Sequence, residues 1–195
     1  MEPDYRKFIS PLDLPWQDEP TGDVLVIVET PRGSRNKYAF DPVYGQFRLK
    51  KVLPLGFSFP FDFGFIPSTR GADGDPLDVL VLLDEPLPMG CLVKGRPIGV
   101  IELEQTRNGH TFRNDRLIVL PTGLSCRNNM QCLADLPDTL VGEIEAFFVD
   151  YARQDGRDTR PVGRGSEARA VELIREGAQQ AAIARHSSPV PLPTR

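Results

Sequence analysis

The sequence predicts an α+β domain, a small closed β-barrel followed by two helices. Up to Leu120 the 195 residues fall into short segments of mixed Val, Leu, Ile and Phe, punctuated by many of the 19 prolines, which is the pattern of short strands. From Asp138 apolar residues recur at three- and four-residue spacing instead, the period of one helical face. Strands first and helices afterwards, without alternation, define an α+β architecture whose strands close on themselves.

The strands expected are Val24 to Glu29, Tyr38 to Asp41, Gln46 to Val52, Asp78 to Leu83, Cys91 to Val93, Pro97 to Thr106 and Arg116 to Leu120. Asn108-Gly109 suits a two-residue type I′ turn, so Glu102 to Arg107 folds back on His110 to Asp115. That register sets Arg107 opposite His110, Glu104 opposite Arg113 and Glu102 opposite Asp115. Phe57, Phe59, Phe61, Phe63 and Phe65 alternate along an extended segment and share one face, as a core stripe does. With Asp138 as N-cap, Leu140, Ile144, Phe147, Phe148 and Tyr151 form the apolar face of a first helix. A second runs from a Ser166 cap through Val171, Ile174, Ala178 and Ala181, with Gly177 a weak point inside it. No repeat is visible, and the chain reads as a single domain, 1–186, with a disordered tail, 187–195, that holds three prolines.

Composition narrows the functional classes. With 40% hydrophobic and 26% charged residues the chain is an ordinary globular one, and its length suits one core that buries roughly 70% of the unfolded surface. The net charge of −4 and the lack of a basic face argue against nucleic acid or anionic lipid as partner. The first residues lack the apolar stretch of a signal peptide, and the longest apolar run, Val79 to Leu83, falls far short of the roughly 20 residues that cross a bilayer. Cys91, Cys126 and Cys132 with His110 and His186 form neither CxxC nor HExxH, so a reducing, cytoplasmic setting is expected and Cys126 and Cys132 read as packing residues.

One segment points to chemistry. Asp73, Asp75 and Asp78 stand at i, i+2 and i+5 just before an apolar strand, with Gly74 and Pro76 between them to permit a turn. If they converge, two charges about 4 Å apart repel by roughly 4 kcal/mol at an effective dielectric of 20, which demands a cation or raised pKa values. Oxygen-only ligands suit magnesium or manganese. A solvated acidic loop is the competing reading, while a calcium EF-hand fits poorly because Leu77 and Asp84 occupy ligand positions and flanking helices are absent.

Asp73-Gly-Asp-Pro-Leu-Asp-Val79 closely resembles the signature of the soluble inorganic pyrophosphatases. The resemblance takes in Val26-Ile-Val-Glu-Thr-Pro31, Asn36-Lys-Tyr38, Gly64-Phe-Ile-Pro67, Arg96-Pro-Ile-Gly-Val100 and Phe147-Phe-Val-Asp-Tyr151, in the same order and spacing, and so covers about Asp23 to Tyr151. It implies a five-stranded barrel of oligonucleotide-binding type with extra strands and helices, hydrolysis of pyrophosphate to two phosphates, magnesium as cofactor with manganese as a substitute, and a homo-oligomer. Carried over, Asp73 and Asp78 match metal ligands, Asp75 the carboxylate that helps activate water, Glu29 an outer metal or water ligand, and Lys37 and Tyr151 phosphate contacts.

The pattern breaks at several site positions. Ala39 stands where the family carries glutamate, Lys51 where it carries arginine, Phe59 and Phe63 where it carries tyrosines, and Ala152 where it carries lysine. On the hairpin, Gln105 and Asn114 replace two metal-binding aspartates and Arg116 a lysine, so Lys51 and Arg116 become the expected substrate-binding cations. Glu102 and Asp115, facing each other, would need a cation between them, and Asp115 is the metal ligand expected on this hairpin. A surface hairpin held by Glu104 and Arg113 is the plainer alternative. Two competing functions follow: a relative with altered or lost activity, suggested by Ala39, Gln105 and Asn114, and a barrel that stacks single-stranded nucleic acid on the phenylalanine stripe.

Overall fold

The computed structural model describes residues 9–123 and 130–187. In chain order these form β1 (Val24–Thr30), β2 (Asn36–Asp41), β3 (Gln46–Val52), β4 (Asp62–Phe65), β5 (Asp78–Val81), β6 (Leu92–Arg107), β7 (His110–Arg113), β8 (Arg116–Pro121), α1 (Asp138–Arg153), β9 (Asp158–Gly165) and α2 (Glu167–Ser187). Hydrogen bonding runs β1 to β4 to β5 to β8 to β6, and β6 pairs back onto β1. The five strands therefore close into a ring, as expected. β7 and β9 extend β6 beyond the ring, and β2 with β3 makes a separate hairpin.

β6 is the spine of this arrangement. Its first part pairs with β1, its middle with β8, and its outer part with both β7 and β9. The two short strands expected here, Cys91 to Val93 and Pro97 to Thr106, are thus one continuous 16-residue strand. Pro97 is accommodated because the pairing with β8 slips between Pro97 and Gly99, a bulge that spares the missing N–H. Both faces of the sheet are apolar. Leu80 and Leu82 join Ile98, Ile101, Ile118, the phenylalanines and α1, whereas Val79 and Val81 join Val26, Val100, Leu117 and α2. A strand covered on two sides needs an unbroken apolar run, which is why Val79 to Leu83 carries no polar residue.

Departures from the expected elements have physical reasons. β9 was not legible because Asp-Thr-Arg-Pro-Val-Gly-Arg-Gly has no apolar alternation; its pairing with β6 from Val100 to Thr106 holds it extended. The hairpin has the expected Arg107–His110 and Glu104–Arg113 pairs, but β7 stops at Arg113 and the Glu102–Asp115 pair does not form. On the other edge of β6, Glu102 is paired with Gly163 of β9. The N-cap of α1 is Pro137, so Asp138 is the first helical residue and binds Arg164, an acid well placed against the helix dipole. Phe59, Phe61 and Phe63 are buried in one cluster with Phe57 packed against it, while Phe65 sits in another with Ile27 and Phe40. The stripe is core, so the nucleic-acid reading loses the exposed rings it needs. Cys126 and residues 188–195 lie outside the described residues. Among the described residues no helix is long and apolar enough to cross a membrane.

Gly177 turns out to be a contact point. A Cβ there would lie 2.8 Å from Leu77 Cδ1, and the Gly177 carbonyl accepts a hydrogen bond from Arg70 N at 2.9 Å. The helix so grips the loop that leads into Asp73. Alanine at a helix interior is normally worth about 1 kcal/mol over glycine, yet overpacking costs about 1–3 kcal/mol. Gly177→Ala is therefore expected to lower the urea midpoint rather than raise it, and a higher midpoint would show that the contact relaxes freely.

Candidate active site

The acidic loop is shaped locally. Gly71 N donates to Asp75 O at 2.7 Å and Gly74 N to Gly71 O at 3.1 Å, while Asp75 N donates to Asp73 Oδ1 at 3.1 Å. Gly74 has φ +92°, which glycine adopts without strain. Thr69 Oγ1 accepts from Leu77 N and donates to Ile66 O, tying the loop at its base. Asp78 opens β5 directly beyond it.

The three carboxylates act on one another. Withdrawal from water, and then the charge of Asp78, push Asp73 up to about 6, although the residue keeps contact with solvent. Burial and Asp78 also raise Asp75, against the opposing charges of Lys50, Lys37 and Arg70. Asp73 and Asp78, with Asn114 and Asp115, line a cavity of about 750 Å³ that reaches across to α2. Asp73 and Asp78 thus share one cavity, and the charge of Asp78 reaches Asp75 as well.

Cationic side chains surround them. Arg116 opens β8, and its Nη1 lies 2.7 Å from Asp78 Oδ2. Its guanidinium sits 4.7 Å from the Phe148 ring centroid and 6.0 Å from that of Phe63. Lys37 and Lys51 are direct register partners in the β2–β3 hairpin, a juxtaposition of like charges that destabilises a sheet unless counter-charges are supplied. Glu29 supplies one, at 3.0 Å from Lys37 Nζ, and Asp155 the other, at 2.9 Å from Lys51 Nζ. Lys37 also lies 4.1 Å from the Phe63 ring centroid, and Lys51 3.7 Å from that of Tyr151. Burial pushes the Tyr151 phenol up to about 12, so near neutral pH it keeps its proton as a hydrogen-bond donor.

Two expected metal residues are otherwise engaged. Glu29 lies at a slip in the β1–β4 pairing, and its Oε1 accepts from Phe40 N at 2.8 Å while Oε2 meets Lys37. Its observed work is to hold Lys37. Asp115 Oδ1 accepts from Leu103 N at 2.9 Å and from Arg113 Nη2 at 2.8 Å. Arg113 also reaches Glu102 at 3.0 Å. The cation expected between Glu102 and Asp115 is therefore a guanidinium, and Glu104 pairs with Arg160 rather than Arg113. Sequence reasoning missed Asp155 and Arg157, which lie in a polar turn that looks like any solvated connection until the fold sets it beside Lys51.

A barrel that gathers carboxylates at one end of its strands and rings them with lysine and arginine defines a site for a phosphorylated, strongly anionic substrate. The comparisons with known proteins give the family. A family model described as inorganic pyrophosphatase matches residues 26–182. The chain is 35% identical over 176 residues to the inorganic pyrophosphatase of Thermus thermophilus, covering 89% of this chain and 95% of that protein. It is 37% identical over 153 residues to that of Leifsonia xyli, covering 78% and 91%. The crystal structure of the Thermus thermophilus enzyme superposes with a TM-score of 0.81 at 32% identity, over 89% of this chain and 99% of that one. A structure from Neisseria gonorrhoeae gives 0.76 at 31%, over 87% and 96%. The chain belongs to the inorganic pyrophosphatase family.

The family is metal-dependent, and the residues present fit a divalent cation. The donors are oxygens only, and Asp73 and Asp75 are raised first by withdrawal from water and then by the like charge of Asp78, which a cation would offset. Among the described residues no three His, Cys, Asp or Glu side chains form a ready-made cage, but a magnesium-sized ion needs only one or two carboxylates and completes its shell with water and substrate. A carboxyl whose folded pKa is raised stabilises the fold below about pH 4, and that contribution is lost as pH climbs through about 6. In chelator, Asp73→Asn is therefore expected to stabilise the protein more at pH 7 than at pH 4.5, as read by urea unfolding. An equal effect at both would remove the charge crowding.

Proposed function

We propose that the chain carries out the reaction of its family, hydrolysis of inorganic pyrophosphate to two phosphates, with magnesium held at Asp73 and Asp78. The observation that carries this is the acidic loop under cationic side chains from three other strands, with Arg116 of β8 at 2.7 Å from Asp78 and the charges of Lys37 on β2 and Lys50 on β3 acting on Asp75. Pyrophosphate is a compact polyanion, and its cleavage depends on charge neutralisation and on the placing of a water. When bound, the divalent ion supplies electrostatic stabilisation of the phosphoryl oxygens and acidifies a nearby water.

The chain's own groups do the rest. Asp75, with its raised pKa, accepts the proton of the attacking water. Lys37 and Lys51, side by side, hold phosphate oxygens, and Arg116 can turn from Asp78 toward the substrate as charge is redistributed. Tyr151 donates from its protonated phenol. Phe59 and Phe63 give ring faces to Lys37 but no hydroxyl, so the phosphate contacts here come from cations. Glu29 orients Lys37, and Asp115 pins the hairpin through Leu103 N.

Phosphate release from pyrophosphate, with magnesium and with chelator, is the deciding assay: metal-dependent release supports the reading, and none overturns it. Asp75→Asn keeps the shape of the side chain and removes its basicity. Turnover is expected to fall by about 10²- to 10⁴-fold with the fold retained, and near wild-type turnover would take Asp75 out of the mechanism.

A further inference from the structure

A single polar chain runs past the Tyr151 phenol, on the side of the ring away from its phenylalanine neighbours. Lys51 Nζ binds Asp155 Oδ1 at 2.9 Å, and Asp155 Oδ2 accepts from Arg157 Nη2. Arg157 Nη1 donates to Gln105 Oε1 at 3.3 Å, which also accepts from Asn114 Nδ2 at 3.4 Å. Asn114 Oδ1 accepts from Arg116 Nη1, and Arg116 reaches Asp78 at 2.7 Å. The chain begins under Tyr151, where Lys51 covers the ring, and returns to it through Arg116 and Asp78, whose charges bear on the phenol together with those of Asp155 and Arg157. Arg157 thereby belongs to the same site as Lys51 and Arg116, although it comes from the turn after α1.

Two features of Arg157 are not explained by holding the fold together. Its side chain is 25% exposed, yet its Nε is buried without a hydrogen-bond partner, and an unsatisfied buried donor carries a penalty that a charged ligand would remove. Asp155 is also shared between Arg157 and Lys51, so one carboxylate serves two cations that could both serve a phosphate. The backbone already anchors this turn, since Arg157 N donates to Ala152 O at 3.1 Å. The guanidinium is not needed for that.

We infer that Arg157 is a substrate-binding residue, whose guanidinium leaves Asp155 to take a terminal phosphate of pyrophosphate beside Lys51. This rests on the pyrophosphate reading of the site. Asp155 is then the stand-in anion that keeps both cations in place until substrate arrives. A planar donor set matches phosphate oxygens in two-point contact, and Gln105 holds the guanidinium plane from the other side.

Calorimetric binding of methylene diphosphonate with magnesium, alongside steady-state kinetics, tests this. Arg157→Gln is expected to weaken analogue binding and raise KM for pyrophosphate by about tenfold each, with kcat within about threefold. Arg157→Lys should recover part of the loss. Asp155→Asn, which frees both cations, should tighten inorganic phosphate binding. Binding that is unchanged in Arg157→Gln, with only a lower melting temperature, would show a structural tie and overturn the assignment. If Arg157→Gln does not fold, phosphate binding that is no tighter in Asp155→Asn overturns it as well. A wild-type protein that neither binds the analogue nor hydrolyses pyrophosphate would instead sink the functional reading itself.

Discussion

The parallel pairing of β5 with β8 is the constraint on which the site depends. Val79 is in register with Leu117, so the residues that open the two strands, Asp78 and Arg116, come out at the same end and meet at 2.7 Å. An antiparallel partner would have sent them to opposite ends of the barrel. Each strand then presents its polar first residue to the site and its apolar continuation to the core. Everything else is fitted around that pair: the loop before Asp78 carries the other two acids, and the hairpin before Arg116 carries Asn114 and Asp115. The arginine is expensive to hold so deeply, with a side chain 7% exposed and its Nε lacking a partner. Only a counter-charge and aromatic faces make such burial tolerable.

How much of this was legible in the sequence follows from the range of each interaction. Local patterns came through: the Asn108-Gly109 turn, the apolar run of β5, the face of α1 and the turn of the acidic loop all depend on neighbours within a few residues. What failed was set by the partner rather than the segment. β9 is extended because β6 is beside it. Glu102 misses Asp115 because Asn114 N bonds back to Leu103 O and Asp115 Oδ1 takes Leu103 N, which ends the ladder, and Gly177 is a contact rather than a defect because Leu77 lies against it. The present partners of Glu29 and Asp115 were hidden for a related reason: a carboxylate's spacing does not reveal which backbone N–H or guanidinium will bind it.

The substitutions that set this chain apart from its family's pattern are absorbed by arginines. Gln105 and Asn114, in place of carboxylates, cannot offset a second cation, but as amides they accept from Arg157 and Arg116 and bond to each other, which links the two arginines. Phe59 and Phe63 keep the rings of the expected tyrosines without their hydroxyls and lie within 6 Å of the Lys37 ammonium. Charge near the substrate is thus supplied by fixed side chains to a greater extent than the signature alone suggests, while the three aspartates at the centre are retained.

One long strand that serves four partners also sets how the molecule opens. β6 gives its backbone groups to β1, β8, β7 and β9 along its length, so no neighbour except the short hairpin arm can detach without exposing a shared edge. Local opening at the hairpin tip costs little, since His110 and Thr111 are exposed. The stretch from Gly95 to Ile101 can exchange its amide hydrogens only when the ring itself comes apart, and it should report the global free energy of unfolding rather than a local one. The first residue of β8 is bonded to that same stretch, with Arg116 in register with Ile101. The arginine that meets Asp78 is therefore fastened to the last part of the fold to loosen.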